Sequence, residues 1–104
     1  MTVLATFARS YVDDLDAALP AFRALTGEEP RLRFSHRGIE LAVIGGFLLL
    51  AGPPETLAPV RATHATVVVD ALTPRNLVVR HVGGAVIEYV EFDAATRAAA
   101  GLAH

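Results

Sequence analysis

The stretch THATVVVDAL (63–72) repeats the pattern of an earlier stretch, TFARSYVDDL (6–15), and this repeat decides the fold. Thr, Ala, Val, Asp and Leu occupy the same places in both, which makes five identities in ten residues. A second match aligns GGFLLLAG (45–52) with GGAVIEYV (83–90), which share a glycine pair followed by an apolar run. Internal self-similarity of this kind indicates repeated structural units. The chain is therefore predicted to contain two related modules.

The first module is predicted to run strand, helix and then three strands. The segment TVLATFARSYV (2–12) is rich in β-branched and aromatic residues, as strands are. In DDLDAALPAFRALTG (13–27) apolar residues recur at three- and four-residue steps, which predicts a helix that an Asp caps and Gly27 ends. Pro20 lies inside this helix, so we expect a late start or a bend there. Glycines separate three short strands: RLRFSHRG, IELAVIG and FLLLAGP.

The second module is shorter than the first. The alignment makes Phe7 correspond to His64 and Leu50 to Glu88. Phe7 to Leu50 spans 50 − 7 = 43 positions, whereas His64 to Glu88 spans 88 − 64 = 24 positions. The difference is about the length of one helix and one strand, so we expect the second module to lack both.

The chain is short enough to form one domain, 1–104. A proline-rich linker, PPETLAP (53–59), separates the modules, which we place at about 1–57 and 58–104. The tail AATRAAAGLAH (94–104) has high helix propensity. It either covers the sheet in place of the missing helix or forms a frayed end.

Composition excludes several classes of protein. The chain has no cysteine, which rules out disulfides, and its formal charge of −2 shows no basic block for nucleic acid or anionic lipid. The longest apolar run, GGFLLLAG, is far shorter than the ~20 residues that a bilayer requires, and no signal-peptide pattern opens the chain. We therefore expect a cytoplasmic protein with neither nucleic-acid nor membrane partners.

Two further features of the composition are informative. The nine basic residues are all arginine, a usage that is typical of a GC-rich genome and is expected here of a bacterial source. The apolar fraction of 53% is high for a small domain. Such a chain is expected to place its surplus of apolar side chains in a dimer interface or around a cavity.

The order of elements resembles that of the vicinal oxygen chelate superfamily, which includes glyoxalases, bleomycin-resistance proteins and extradiol dioxygenases. The resemblance rests on YVDDLDAALPAFRALTGEEP in the first module and on THATVVVDAL and RNLVVRHVGGAVIEYVE in the second. It implies an α+β fold in which paired βαβββ modules form curved mixed sheets around a cavity. In this chain the second module is truncated by one helix and one strand.

The resemblance also implies where a metal would bind. Metal enzymes of the superfamily use one ligand from the first and one from the last strand of each module, and here these positions are Phe7, Leu50, His64 and Glu88. A metal site normally needs three or four N or O ligands, and Phe and Leu supply none. We therefore expect no bound metal and no cofactor.

The strands that carry His64 and Glu88 are neighbours in the superfamily. We expect the two side chains to face one cavity from adjacent antiparallel strands and to hydrogen-bond each other. Two interpretations of Glu88 stay open: it is a polar group of the cavity wall, or it is the structural partner of His64 or of an Arg.

The remaining candidates for ligand binding lie beside these positions. Arg9 and Tyr11 share the face of Phe7 by strand alternation, and Thr66 completes the set. His36 adjoins a predicted turn and is expected to face solvent. The ligand-binding candidates are thus Phe7, Arg9, Tyr11, Leu50, His64, Thr66 and Glu88.

Three functions fit these expectations. The first is metal-free binding or sequestration of a small molecule, as in the bleomycin-resistance branch. The second is a lyase, isomerase or dioxygenase that works through His64 and Glu88 as candidate catalytic residues. The third is a non-catalytic interaction module. In each case a homodimer is expected, because the shortened module leaves a sheet face and a strand edge to be covered.

Overall fold

The computed structural model describes residues 2–72 and 77–102 and confirms the predicted α+β fold. The first module contains a strand, a helix and three strands, and the second contains three strands. The elements are β1 (Val3–Val12), α1 (Leu15–Thr26), β2 (Leu32–His36), β3 (Ile39–Ile44), β4 (Phe47–Ala51), α2 (Pro54–Leu57), β5 (Ala65–Val69), β6 (Leu77–Val82), β7 (Ala85–Glu91) and α3 (Ala94–Ala99).

The seven strands form one mixed sheet in the order β2-β3-β4-β1-β5-β7-β6. The two modules meet at the centre, where β1 pairs with β5 in antiparallel fashion. Each first strand also pairs in parallel with the last strand of its own module, β1 with β4 and β5 with β7. The long strand β1 therefore joins the two halves.

Helix α1 lies on one face of this sheet. The Asp14 side chain caps the helix by accepting a hydrogen bond from the backbone N–H of Ala17 at 2.9 Å. Gly27 ends it with a φ of 69°, a left-handed conformation that favours glycine. Contrary to the expectation of a late start, the helix already begins at Leu15 and continues through Pro20. Burial of its apolar side against the sheet offsets the helical hydrogen bond that Pro20 lacks.

The two faces of the sheet carry separate apolar clusters. On the face that α1 covers, Leu15 and Leu19 pack with Ala42, Ile44 and Leu49. The opposite face, called the cavity face below, carries the alternate residues of each strand. Its buried apolar residues include Phe7, Leu41, Val43, Leu48, Leu50 and Val68.

The C-terminal tail packs on the cavity face. Ala100 and Leu102, at and beyond the end of α3, are buried in the same cluster as Phe7 and Leu50. The tail is therefore helical over most of its described length, and its end is docked on the sheet and not frayed. It lies on the face opposite to α1, so it does not stand in for the missing helix.

The truncation of the second module is confirmed by the element order. Seven residues, 70–76, separate β5 from β6, whereas α1 alone has 12 residues. Of these seven, 73–76 lie outside the described residues. The proline-rich linker was not predicted to contain a helix. In the structure Pro54–Leu57 form the short helix α2, and Leu57 is buried. Within the described part of the chain, no helix is long and apolar enough to cross a membrane.

Replacing Leu102 with Ala tests whether the tail stabilises the fold. Leu102 is 8% exposed and packs in the cavity-face cluster, so we expect its truncation to lower the free energy of unfolding by about 2 kcal/mol. Leu25→Ala is the matched control, because Leu25 is 66% exposed and its loss is expected to cost less than about 0.5 kcal/mol. Urea denaturation measures both; equal effects of the two changes would contradict docking of the tail.

Candidate functional site

Arg9 is the centre of a buried polar cluster on the cavity face. Its Nε donates a hydrogen bond to Thr66 Oγ1 at 2.8 Å, and its Nη2 donates to Glu88 Oε1. Its Nη1 donates to the Tyr11 hydroxyl at 3.3 Å, a longer and weaker contact. One guanidinium therefore connects side chains of β1, β5 and β7.

The register of the strands explains why these side chains meet. Thr66 lies opposite Phe7 across the antiparallel β1–β5 pair, and Glu88 lies beside Thr66 across the parallel β5–β7 pair. Arg9 is two residues beyond Phe7, so it shares that face and is the diagonal neighbour of Thr66. An arginine side chain is long enough to reach across both partners.

Tyr11 links the Arg9 cluster to the backbone of the segment that follows α2. Its hydroxyl oxygen lies 2.5 Å from the carbonyl oxygen of Val60 and 2.8 Å from that of Thr63. The hydroxyl has one proton to donate, so it serves one carbonyl at a time while it accepts from Arg9. The Arg61 guanidinium carbon lies 5.7 Å from the centre of the Tyr11 ring, within cation–π range.

The Arg9–Glu88 ion pair is largely removed from water. The Arg9 side chain is 3% exposed and that of Glu88 is 15% exposed. Burial of either charge alone would be costly, and the mutual attraction and the hydrogen bond to Thr66 offset that cost. Of the five N–H groups of Arg9, three serve Thr66, Tyr11 and Glu88. Two N–H groups of Arg9 and Oε2 of Glu88 have no hydrogen-bond partner among the described residues.

These polar atoms form the floor of a cavity of about 660 Å³ between the cavity face and the start of α3. Arg9, Thr66 and Glu88 all line it, and all three are buried or nearly so. The walls are apolar: Phe34, Ile39, Leu41, Leu48, Val60, Val90 and Phe92. A buried polar floor beneath apolar walls is typical of a small-molecule site.

Polar residues from the two ends of the sheet surround the opening, which we call the rim: His36, Arg37, Glu91, Asp93 and Thr96. Asp93 caps α3 by accepting a hydrogen bond from the Thr96 N–H at 2.7 Å, and this bond holds the pKa of its carboxyl below the usual value of 3.8. Glu91 accepts a hydrogen bond from the Leu72 N–H at 2.9 Å. His36 is exposed, as expected.

Most of the rim and the two aromatic walls were not predicted from the sequence. Phe34 and Phe92 stand edge to face with ring centres 6.5 Å apart, although they come from distant parts of the chain. Strand alternation is a signal that could have placed Phe34 on this face. The docking of the tail that brings Phe92 to it has no signal in the local pattern.

His64 does not take the place expected of it. It is exposed and is not among the residues that line the cavity, and its Nδ1 accepts a hydrogen bond from the Val86 N–H at 2.9 Å. Glu88 bonds to Arg9 instead, as one of the two open interpretations of Glu88 allowed. Glu88 lies on β7 and His64 immediately precedes β5, and these two strands are adjacent, but the prediction that they are antiparallel is wrong. They are parallel because β6 reverses the chain between them.

Phe7 and Leu50 lie in the apolar core. They are 2% and 3% exposed, pack with the tail and do not line the cavity. Tyr11 does not line it either, and its contact with the site is through Arg9. Of the seven candidate ligand-binding residues, the structure places Arg9, Thr66 and Glu88 on the cavity wall.

The sheet register also corrects the alignment of the two modules. Leu50 is paired with Tyr11, whereas Glu88 is paired with Thr66. If Leu50 corresponds to Glu88, then their strand neighbours Tyr11 and Thr66 also correspond. His64, two residues before Thr66, then corresponds to Arg9, whereas the sequence alignment matched it to Phe7. A slip of two residues keeps every side chain on its face, so the hydrophobic pattern alone does not detect it.

The residues at the implied metal positions do not fit a metal ion. Two of the four are apolar and sealed in the core, and the carboxylate of Glu88 already binds the fixed positive charge of Arg9. A cation placed beside Glu88 would be repelled by that guanidinium. Among the described residues, no three His, Cys, Asp or Glu side chains are grouped so that they would hold a metal.

Comparison with known structures gives two informative matches. An uncharacterized protein from Methanosarcina mazei has 32% sequence identity and a TM-score of 0.72, with 90% of this chain and 96% of that chain covered. Methylmalonyl-CoA epimerase from Mycobacterium tuberculosis has 18% identity and a TM-score of 0.60, covering 86% of this chain and 88% of its own. The epimerase belongs to the vicinal oxygen chelate superfamily and shows that the fold is shared. No protein-family model and no curated protein matches the chain.

A double substitution tests the buried ion pair. Arg9→Met leaves the Glu88 carboxylate without its partner, so we expect the free energy of unfolding to fall by about 3 kcal/mol. Adding Glu88→Leu removes the orphaned charge and is expected to restore most of the loss. Arg23→Met is the control, since the Arg23–Glu29 pair is exposed and contributes less than about 1 kcal/mol. Urea denaturation that shows the double variant to be no more stable than Arg9→Met would contradict the pairing.

Proposed function

Because this chain belongs to the same family as the uncharacterized Methanosarcina mazei protein and has the vicinal oxygen chelate fold, we propose that it binds a small molecule without a metal ion. The ligand occupies the cavity under α3. Binding or sequestration needs no chemistry beyond recognition, and the cavity supplies the two elements of recognition, apolar area and a few oriented polar groups.

The observation that carries this proposal is the unused hydrogen-bonding capacity of the floor. Arg9 has two N–H groups without a described partner, and Glu88 has one oxygen atom without one. Both side chains are held in place by strand neighbours, so they are preorganised and lose little entropy on binding. A ligand group that both accepts and donates, such as a carboxamide or a hydroxyl, satisfies both side chains.

Apolar walls supply most of the binding free energy in this proposal. The edge-to-face pair Phe34–Phe92 and the aliphatic side chains of β3 and β4 offer a surface to a flat or chain-like apolar body. Because water is excluded from such a surface, hydrogen bonds on the floor are stronger than they would be in solvent.

An enzyme that moves a proton is a second candidate function. One observation favours it: Glu88 lines the cavity, and one of its oxygen atoms has no hydrogen-bond partner among the described residues. In such an isomerase or lyase, Glu88 is the base and the spare N–H groups of Arg9 stabilise the negative charge that develops on the substrate. His64 takes no part in this version, since it lies outside the cavity. Turnover that Glu88→Gln abolishes would distinguish this candidate from simple binding.

Binding of a neutral fluorescent probe tests the proposed function. We expect N-phenyl-1-naphthylamine to bind with a Kd of roughly 10 μM and to raise the melting temperature. Ile39→Trp, which fills the cavity, is expected to abolish binding, and Leu25→Trp, on the exposed side of α1, is the control. Protein purified without chelators is expected to hold less than about 0.1 equivalents of zinc, iron or manganese. Near one equivalent of metal, or probe binding that Ile39→Trp leaves intact, would contradict the proposal.

A homodimer is part of the same proposal. The shortened second module places β6 at one edge of the sheet, where Val82 is 52% exposed and the outer edge of the strand has no neighbouring strand among the described residues. A second copy that covers this edge would make a closed two-fold interface.

Sedimentation measures the assembly directly. We expect a species of twice 11.0 kDa at micromolar concentration. Val82→Arg places a charge at the proposed interface and is expected to shift the equilibrium to the monomer, while Leu25→Arg is the matched control. A stable monomer of the unmodified chain would contradict the dimer. A dimer that binds no probe would support the interaction-module alternative.

A further inference from the structure

The β2–β3 hairpin turn places Arg37 in a conformation that arginine rarely adopts. His36 pairs with Ile39, so the turn contains two residues, Arg37 with a φ of 52° and Gly38 with a φ of 80°. Two consecutive positive φ values define a type I′ turn, which strongly favours Asn, Asp or Gly at its first position. Among the described residues, Arg37 is the only one other than glycine with a positive φ.

The β6–β7 hairpin shows how the same chain builds this turn elsewhere. There Val82 pairs with Ala85, and the two turn residues are Gly83 and Gly84, with φ values of 55° and 86°. These φ values lie within about 6° of those in the β2–β3 turn. Glycine satisfies it without strain, so turn formation itself does not require arginine at position 37.

Among the described residues, no hydrogen bond or ion pair explains why position 37 is an arginine. The Arg37 side chain is exposed and, within the part of the chain that the structure describes, it forms neither a hydrogen bond nor an ion pair. It does line the rim of the cavity. Backbone strain at a position that lines a cavity points to a role in binding.

The other charged side chains that line the cavity have hydrogen-bond or ion-pair partners. The floor charges of Arg9 and Glu88 neutralise each other, and the rim carboxylates of Glu91 and Asp93 accept backbone hydrogen bonds from Leu72 and Thr96. Glu91 and Asp93 keep their negative charges, so Arg37 is the cation of the rim, and it is the charged side chain there that forms no hydrogen bond or ion pair among the described residues.

We propose that Arg37 binds the anionic end of the ligand, so that the cavity takes amphipathic anions: molecules with an apolar body and a terminal carboxylate, phosphate or sulfonate. This inference rests on the proposed function and adds the class of ligand to it. The apolar body lies against the walls, the inner end reaches the floor, and the anionic group stays at the rim, where its remaining oxygen atoms keep their water. A planar guanidinium matches the geometry of such oxyanions.

A matched pair of fluorescent probes isolates the charge. Anilinonaphthalene-8-sulfonate and N-phenyl-1-naphthylamine share their ring system and differ by the sulfonate. For Arg37→Asn we expect the Kd of the sulfonate probe to rise about tenfold and the Kd of the neutral probe to stay within about twofold. Arg37→Lys keeps the charge and is expected to retain most of the affinity for the sulfonate. Arg23→Asn removes an exposed arginine that lies outside the cavity lining and is expected to change neither Kd.

Thermal melting of the same variants separates binding from folding. Arg37→Asn creates the Asn-Gly pair that type I′ turns favour, so we expect its melting temperature to equal or exceed that of the unmodified protein. An unchanged Kd for the sulfonate probe, an equal weakening of both probes, or a lower melting temperature in Arg37→Asn would overturn the inference. If the neutral probe binds and the sulfonate probe does not, the inference alone fails. If neither probe binds the unmodified protein, the proposed function fails with it.

Discussion

The buried guanidinium of Arg9 is the constraint on which the rest of the structure depends. A cation that is 3% exposed needs partners, and Arg9 takes them from Thr66 on β5, Glu88 on β7 and the hydroxyl of Tyr11. These contacts hold the central strand of the sheet to both strands that line the floor. A one-residue slip of any of these strands would turn its polar side chain to the other face and leave Arg9 unsatisfied.

The same network determines what the cavity binds. Since Glu88 neutralises Arg9, the floor carries hydrogen-bonding groups without net charge. The end of the tail packs in the cluster that contains Phe7 and Leu50, and neither of these two residues lines the cavity. What remains is a polar floor, apolar walls and a rim in which Arg37 has no partner among the described residues.

Much of the fold was predictable because the spacing of apolar residues and the positions of the glycines indicate the same boundaries between elements. The change from alternating to helical spacing located α1, the glycine pairs located the hairpins, and the internal repeat predicted two unequal modules. The site was predictable only in part. Strand alternation placed Arg9 on the correct face of the sheet. It did not reveal that the alignment of the two modules was shifted by two residues, because such a shift keeps each side chain on its face. His64 was therefore matched to Phe7. The face that the tail covers depends on long-range packing of Leu102, which no local pattern encodes.

The hydrogen exchange of the Arg9 side chain, followed by nuclear magnetic resonance with and without zinc, tests this account most directly. The Nε–H of Arg9 donates to Thr66 from a buried position, so its signal should be protected at neutral pH, unlike that of Arg23, which is 42% exposed. Equimolar zinc should leave the Arg9 signal unchanged. An Arg9 signal that exchanges as fast as that of Arg23, or that zinc displaces, would contradict a floor built on the Arg9–Glu88 pair.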